Sequence, residues 1–412
     1  MRRFLPSWPA GDRALDLVNF FVADVQTGFG PFVAVYLTTH KWTQVEIGFA
    51  LTLGTVTSLI SQLPAGALVD AVRNKRRVAS GALIAVIIAA LLLATLPERL
   101  PVLVAQMLHG FASCILTPAI AAISLHLAGH AGLGERLGRN ARYASIGNGM
   151  AAAVMGATGA YLSSQFVFLL TAALCVPALI SLWFVGAGVH GRNQTTSRVM
   201  DLSGLKRLIS DRRLLIFGVC VMLFHLSNAA MLPLAGAAVT MRAGHFANII
   251  IAACIVVPQI IVALLSPWVG RAAERIGRKR LLLLGWGALP VRGLLLAVLP
   301  GSWPLVAGQA VSGLSAAVFG VLLPLLAADL TLGTSHFNLC MGILGLAMYL
   351  GAAVSTTMSG GIADASGMDV AFLVLAGVGA LGFMTVLLGM PETRPVRVEA
   401  DPPAKTSPSV QE

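Results

Sequence analysis

Charge is what this chain lacks most. Of its 412 residues, 28 are Lys or Arg and 17 are Asp or Glu, so 11% are charged, where a soluble domain has about a quarter. That scarcity excludes a soluble enzyme and a disordered chain, both of which need polar surface. Cysteine is scarce too. The five present (Cys114, Cys175, Cys220, Cys254, Cys340) are scattered through apolar segments, without the spacing of a disulfide framework or a metal site. No Gly-x-x-x-x-Gly-Lys-[Ser/Thr] loop exists to cradle ATP phosphates. Ser145, Cys114 and His109 have no base and acid at useful spacing, so no nucleophilic triad is expected.

Long apolar runs are abundant instead. Hydrophobic residues make up 57% of the chain and its mean hydropathy is +0.84. Runs of about 18 or more apolar residues are the signature of helices crossing a hydrocarbon core about 30 Å thick. Twelve are expected, at 14–38, 45–70, 78–96, 101–128, 141–162, 166–187, 214–239, 246–270, 281–299, 303–328, 337–360 and 369–390. They are continuously apolar rather than alternating, which favours helices over barrel strands. Met1-Arg2-Arg3 begins a first helix without a cleavage site after it, so that helix is read as retained.

The formal charge of +11 then acquires a meaning. Twenty-four of the 28 basic residues fall at the termini or in alternate loops on one side, and only Lys41, Arg99 and Arg242 fall opposite. The positive-inside rule places that side, with both termini, in the cytoplasm. Even Arg278-Lys279-Arg280 meets anionic lipid rather than nucleic acid.

The chain also repeats itself. Gly66-x-x-x-Asp70 at the end of the second span matches Gly270-x-x-x-Glu274 at the end of the eighth. Gln106-x-x-x-Gly110 matches Gln309-x-x-x-Gly313, and Pro31 matches Pro233, all at offsets of about 203. The expected organisation is a six-helix half over 1–189, a linker over 190–213, a second half over 214–390 and a disordered tail over 391–412. Duplicated halves of this kind build a site at their interface near the bilayer midplane.

Gly270-x-x-x-Glu274-Arg275-x-Gly277-Arg278-Lys279-Arg280 is close to the loop signature of one family, and on those residues the chain resembles the major facilitator superfamily of secondary transporters. The 2–3 loop copy keeps Gly66, Asp70 and Lys75-Arg76-Arg77. It departs with Ala71 at the usual basic position and Arg73 at the usual glycine. The resemblance implies an all-α membrane protein with twelve helices in two pseudo-symmetric six-helix bundles, and a gate made by Gly66, Asp70, Arg73, Gly270, Glu274, Arg275, Gly277 and Arg278. An acid at a helix C-terminus is disfavoured by its own macrodipole, so it seeks a partner that one conformation can supply and another withdraw.

Polar side chains inside spans cost about 2.5–3.5 kcal/mol when charged and usually face a cavity or a partner. Asp24, ten residues into the first span, is the expected proton carrier, a role it would share with acids in drug:proton antiporters of the resembled superfamily. Gln106, His109, Ser113 and Thr117 recur at helical spacing along one face of the fourth span. His225 and Asn228 share a face of the seventh, which is equivalent to the first. Arg292 lies in the ninth and would bind an anionic group or pair within its own half. In the resembled family an Arg often stands where Gln106 is, and a Gly-Pro step stands where Gly159-Ala160 is.

The expected function is proton-coupled transport of a small molecule by alternating access, with efflux of an amphipathic compound preferred. Uptake of a nutrient or iron-chelating compound is the alternative, and a non-transporting membrane sensor is a distant third. The expected partners are a small-molecule substrate, protons and the bilayer. Neither a cofactor nor nucleic acid is implied, and the chain is expected to act as a monomer.

Overall fold

The computed structural model describes residues 10–27, 29, 31–185, 202–235, 247–299 and 303–393, and the structural statements below concern those residues. Most of the expected linker and tail lies outside them, as does the side chain of Asp24. The described residues form helices and no strands: α1 (Ala10–Thr27), α2 (Pro31–Thr39), α3 (Gln44–Ala71), α4 (Lys75–Thr95), α5 (Arg99–Tyr161), α6 (Ser164–Phe184), α7 (Leu202–Ile209), α8 (Arg212–Asn228), α9 (Ala247–Ile276), α10 (Arg278–Val298), α11 (Trp303–Leu330), α12 (Phe337–Ser366) and α13 (Met368–Gly389). A short helical stretch over 231–235 follows α8.

Local chemistry sets these boundaries. Thr43 and Glu46 form a reciprocal capping box at the start of α3, with Glu46 N–H donating to Thr43 Oγ1 at 3.3 Å and Thr43 N–H donating to Glu46 Oε2 at 3.0 Å. Asn74 caps α4 by accepting from Arg77 N–H at 3.2 Å. Pro31 is the first residue of α2, where a missing backbone N–H costs nothing.

Ten stretches are long and apolar enough to cross a membrane. One of them, Arg99–Gly159, belongs to a 63-residue helix that would be about 95 Å long if straight, three times a bilayer core. Gly129 divides it (φ 63°, ψ 176°), a conformation glycine adopts without a Cβ penalty. Its two arms are therefore two crossings, and the interrupted α1–α2 pair supplies the remaining one of the expected twelve. Exposed side chains such as Trp183, Tyr161 and Leu388 face outward, as expected against lipid.

Helix continues where a loop was expected between the fourth and fifth spans. Residues 130–140 form the first turns of the second arm of α5, so that arm begins well before 141. Arg136 and Asn140 are buried there. Likewise the 8–9 loop shrinks to Gly277 (φ 98°), and Arg278 is the first, fully buried residue of α10.

One apolar cluster is drawn wholly from residues 14–185, including Leu15, Tyr36, Leu116 and Phe168. A second is drawn mainly from 208–390 but includes Ala67, Ala121, Leu133 and Leu137 from the first set of helices. The shared residues come from α3, which packs on α12, and from α5, which packs on α9 and α11.

Candidate functional site

A cavity of about 460 Å³ opens between the two sets of helices. Asn19 and Ala23 of α1, Thr117, Asn140 and Asn148 of α5, Gln259 of α9, Phe319 of α11 and Met348 of α12 contribute to its wall. Its surface is mostly apolar with amides and hydroxyls set into it, and no charged side chain appears among the described lining residues. Such a wall suits an amphipathic molecule whose few polar groups need fixed partners. Gly147 allows α5 to lie against α1, because a Cβ there would overlap the Phe20 carbonyl group.

Of the polar stripe on the fourth span, only Thr117 reaches this cavity. Gln106 is buried against Gly54 of α3. His109 stacks on Phe29 with ring centroids 3.8 Å apart, and Ser113 Oγ lies 3.2 Å from its Nε2. In the C-terminal set, His225 meets Phe319 edge to face at 4.8 Å, one side chain removed from the cavity. Asn228 and Arg292 come together: Arg292 Nη1 donates to Asn228 Oδ1 at 2.6 Å, and Nη2 donates to Gln309 Oε1 at 3.1 Å. Arg292 is thus enclosed within the C-terminal set, without a carboxylate among its hydrogen-bond partners.

The residues expected to form a gate assemble in two places at the end of the bundle that carries the basic residues. At the first, Asp70 ends α3 and faces the N-terminus of α12. Its carboxylate accepts from Asn338 N–H (3.1 Å), Leu339 N–H (2.8 Å) and Asn338 Nδ2 (2.7 Å). The first N–H groups of a helix have no partner within it, and its dipole favours an anion there. Gly66 makes the approach possible, since a Cβ on it would overlap the Asn338 carbonyl. Arg73 is exposed at the mouth of a separate, smaller cavity beside Asp70.

At the second place, α9 crosses the second arm of α5. Gly270 and Gly134 face each other so closely that a Cβ on Gly134 would lie 2.7 Å from both the Gly270 carbonyl oxygen and Glu274 Oε1. Glu274 pairs with Arg278 at 3.3 Å, and Arg278 Nε donates to Asp329 at 3.0 Å. Gly277 brings the chain round so that Glu392 accepts the free N–H groups of Arg278 (2.8 Å) and Lys279 (3.2 Å). Arg275 lies at the end of α9 and has a partner of its own. Gly134→Val is expected to force α5 and α9 apart at this end and to cut transport at least tenfold, at a packing cost of about 1–3 kcal/mol. Normal transport by that variant would show that this contact need not re-form in the cycle.

A network absent from the sequence reading ties α1 to α5. Arg136 pairs with Asp16, and its Nη1 lies 3.5 Å from Asp12 Oδ1; Arg139 also pairs with Asp16. Arg136 Nε (2.9 Å) and Nη2 (2.7 Å) both donate to Asn140 Oδ1, and Asn140 Nδ2 donates to Ser124 Oγ at 2.7 Å. Asn140 also lines the cavity, so its amide is held rigidly at the cavity wall. Asp12 and Asp16, like Arg136 and Asn140, are four residues apart, the spacing of one helix face. Reading 129–140 as helix would have revealed them.

The two helix sets and the cavity between them can be set beside known proteins. The Major Facilitator Superfamily profile fits residues 15–257 and 218–411. The chain belongs to the Major Facilitator Superfamily. It is 34% identical over 406 residues to an uncharacterised MFS-type transporter of Mycobacterium tuberculosis, covering 96% of this chain and 97% of that one. The class B tetracycline resistance protein of Escherichia coli is 29% identical over 159 residues, 39% of this chain and 38% of that one. In fold it is similar to the Escherichia coli fucose:proton symporter, with a TM-score of 0.73, 16% identity and coverage of 91% and 97%. The human organic anion transporter MFSD10 gives 0.69, 16%, 93% and 100%. This chain is accordingly a multi-pass membrane transporter of the superfamily rather than an enzyme.

Proposed function

We propose that this transporter exports a small amphipathic compound in exchange for protons, by alternating access around the 460 Å³ cavity. The observation that carries the reading is the cavity itself: it lies between the two helix sets and is sealed at the basic end by Asp70 on α12 and by Gly134 on Gly270. Its uncharged, largely apolar wall favours a neutral or weakly charged substrate with a few hydrogen-bonding groups. Export is supported by the partial likeness to a tetracycline resistance protein. The division into halves at 1–189 and 214–390, a plasma-membrane location with both termini cytoplasmic, and action as a monomer complete the reading. The basic end is then the cytoplasmic one, and the closed gates correspond to an outward-facing state.

Asp24 is assigned as the proton carrier, on its position in α1 one residue beyond Ala23 of the cavity wall. Asn140, Asn148 and Gln259 are assigned to substrate contact. The deciding experiment loads cells with a panel of fluorescent amphipathic compounds and collapses the proton gradient with an uncoupler. Export predicts a rise in cell-associated compound that depends on the transporter; a fall would establish uptake instead. Asp24→Asn should abolish the gradient-dependent component while leaving expression normal. Full coupling in that variant would remove Asp24 from the mechanism.

A further inference from the structure

The two gate regions are built alike but balanced differently. Lys75, first residue of α4, and Arg278, first residue of α10, are both buried. Each reaches back to the carbonyl of the residue before the gate acid: Lys75 Nζ to Val69 O at 2.5 Å, and Arg278 Nη1 to Ala273 O at 2.6 Å. In the C-terminal copy, two carboxylates surround the cation, Glu274 at 3.3 Å and Asp329 at 3.0 Å. In the N-terminal copy, Asp70 is the one carboxylate that offsets Lys75 while its oxygens are taken by α12, and among the described residues Lys75 has no second carboxylate beside it. The repeat that aligns Gln106 with Gln309 places His126 where the other copy has Asp329.

Beside this unbalanced site lies the smaller cavity, about 250 Å³. Arg73, Lys75, His126 and His130 contribute from the N-terminal set beside the Asp70 carboxylate, and Thr334 and Ser335 from the connection between α11 and α12. The carboxylate present in one copy is therefore missing in the other, and a cavity with basic and hydroxyl groups stands next to the vacant position.

We propose that this cavity binds a phosphate-class anion, which supplies to the N-terminal gate the negative charge that Asp329 supplies to the C-terminal gate. Arg73 and the imidazoles of His126 and His130 are its donors on one side, and the hydroxyl-bearing connection to α12 is the other wall. Guanidinium and phosphoryl groups match in charge and geometry. Because the walls come from both helix sets, an anion held here fastens them together and favours the conformation seen. The same chemistry is offered by dissolved phosphate and by the headgroup of an anionic lipid.

The test uses the full chain and reads binding without transport, so it stands apart from the export reading. Amide exchange at the start of α12 is followed in detergent with added inorganic phosphate, against chloride at equal ionic strength. A parallel arm compares nanodiscs of phosphatidylcholine with and without phosphatidylglycerol. At ten times its dissociation constant the anion should slow opening about tenfold, and His126→Asp should reproduce that slowing without any anion and abolish the response. A response to phosphate identifies the free ion as sufficient; a response to phosphatidylglycerol alone identifies the lipid headgroup. Absence of slowing in both arms, or an equal response in wild type and His126→Asp, overturns the proposal. Arg73→Ala, at an exposed position, should weaken the response at least tenfold while the protein stays folded.

Discussion

Arg136→Ala is expected to lower the stability of the folded protein by about 3–5 kcal/mol, the cost of leaving one partner of a buried ion pair behind. Asp16 has 4% of its side-chain surface exposed and Arg136 has 3%, so neither can turn to water once the other is removed. The loss goes beyond one pair. A single guanidinium also donates to the Asp12 backbone carbonyl at 3.2 Å and twice to Asn140 Oδ1, so its removal leaves Arg139 as the remaining ionic tie from Asp16 to α5. Lysine carries one nitrogen in place of this planar fork, and Arg136→Lys should recover only a minor part of the stability. Thermal unfolding in detergent, followed by tryptophan fluorescence or by loss of the monodisperse species, measures both. An Arg136→Ala protein as stable as wild type would show that the network contributes nothing net. Double replacement of Asp16 and Arg136 by Leu should be milder than either single change, since the charges that remain, Asp12 and Arg139, are the more exposed members of the network.

The second large effect concerns conformation rather than folding. Asp70→Ala removes three hydrogen bonds to an ionised acceptor at the N-terminus of α12. Bonds of this kind contribute about 1.5–3 kcal/mol each when their loss leaves buried groups unmet. Opening this end exposes the same groups to water, so the net shift is smaller, about 2–4 kcal/mol, or roughly 30- to 1000-fold in the ratio of the two states. Asp70→Asn keeps the shape and two acceptor lone pairs but loses the charge, and should fall between. Distances between spin labels across the basic end would read the shift directly. Unchanged distances in Asp70→Ala would mean that the glycine contacts alone keep this end closed. Stabilising one end at the expense of the other also slows turnover, so transport should fall in the same order.

The fold was legible because a bilayer leaves few choices. Backbone polar groups without water must be satisfied within a helix or a closed barrel, so continuous apolar runs translate almost directly into helices. The runs at 78–96 and 369–390 became α4 and α13 with shifts of a few residues. The contact made by Asp70 was legible for a related reason. A carboxylate at a helix C-terminus is poorly placed on its own, and a glycine one turn earlier marks a close neighbour. Asp70 and Gly66 carry that reasoning through to their contact with α12.

The polar residues inside the spans were less legible. Helical spacing put Gln106, His109, Ser113 and Thr117 on one face, but a helix surrounded by others has no single inward side. Only Thr117 lies deep enough along α5 to meet the cavity, while Gln106 packs on Gly54 and His109 on Phe29. Asn19 and Gln259 line the cavity and sit singly among apolar neighbours in sequence. Arg136 and Asn140 were hidden further by three glycines and three arginines between 132 and 142, a composition that reads as loop. It forms a helix because Arg136 and Arg139 are neutralised by Asp16, a partner some 120 residues away.

Sequence alone was enough to show a multi-pass helical membrane protein, the division of its basic residues between the two ends, and two copies of one Gly-x-x-x-acid motif. Those properties depend on local apolar length and on charge counted along the chain, quantities that need no partner. Tertiary structure decided which polar groups meet: Asp16 with Arg136, Arg292 with Asn228 and Gln309, Arg278 with Asp329. In a low-dielectric interior an ionised group must find its counterpart wherever the packing brings it, and packing between distant helices is not written in the spacing of either one. The +11 of formal charge illustrates both levels. Most of it carries an expectation about orientation by position alone, whereas Arg136 and Arg278 are structural because of what lies beside them in space.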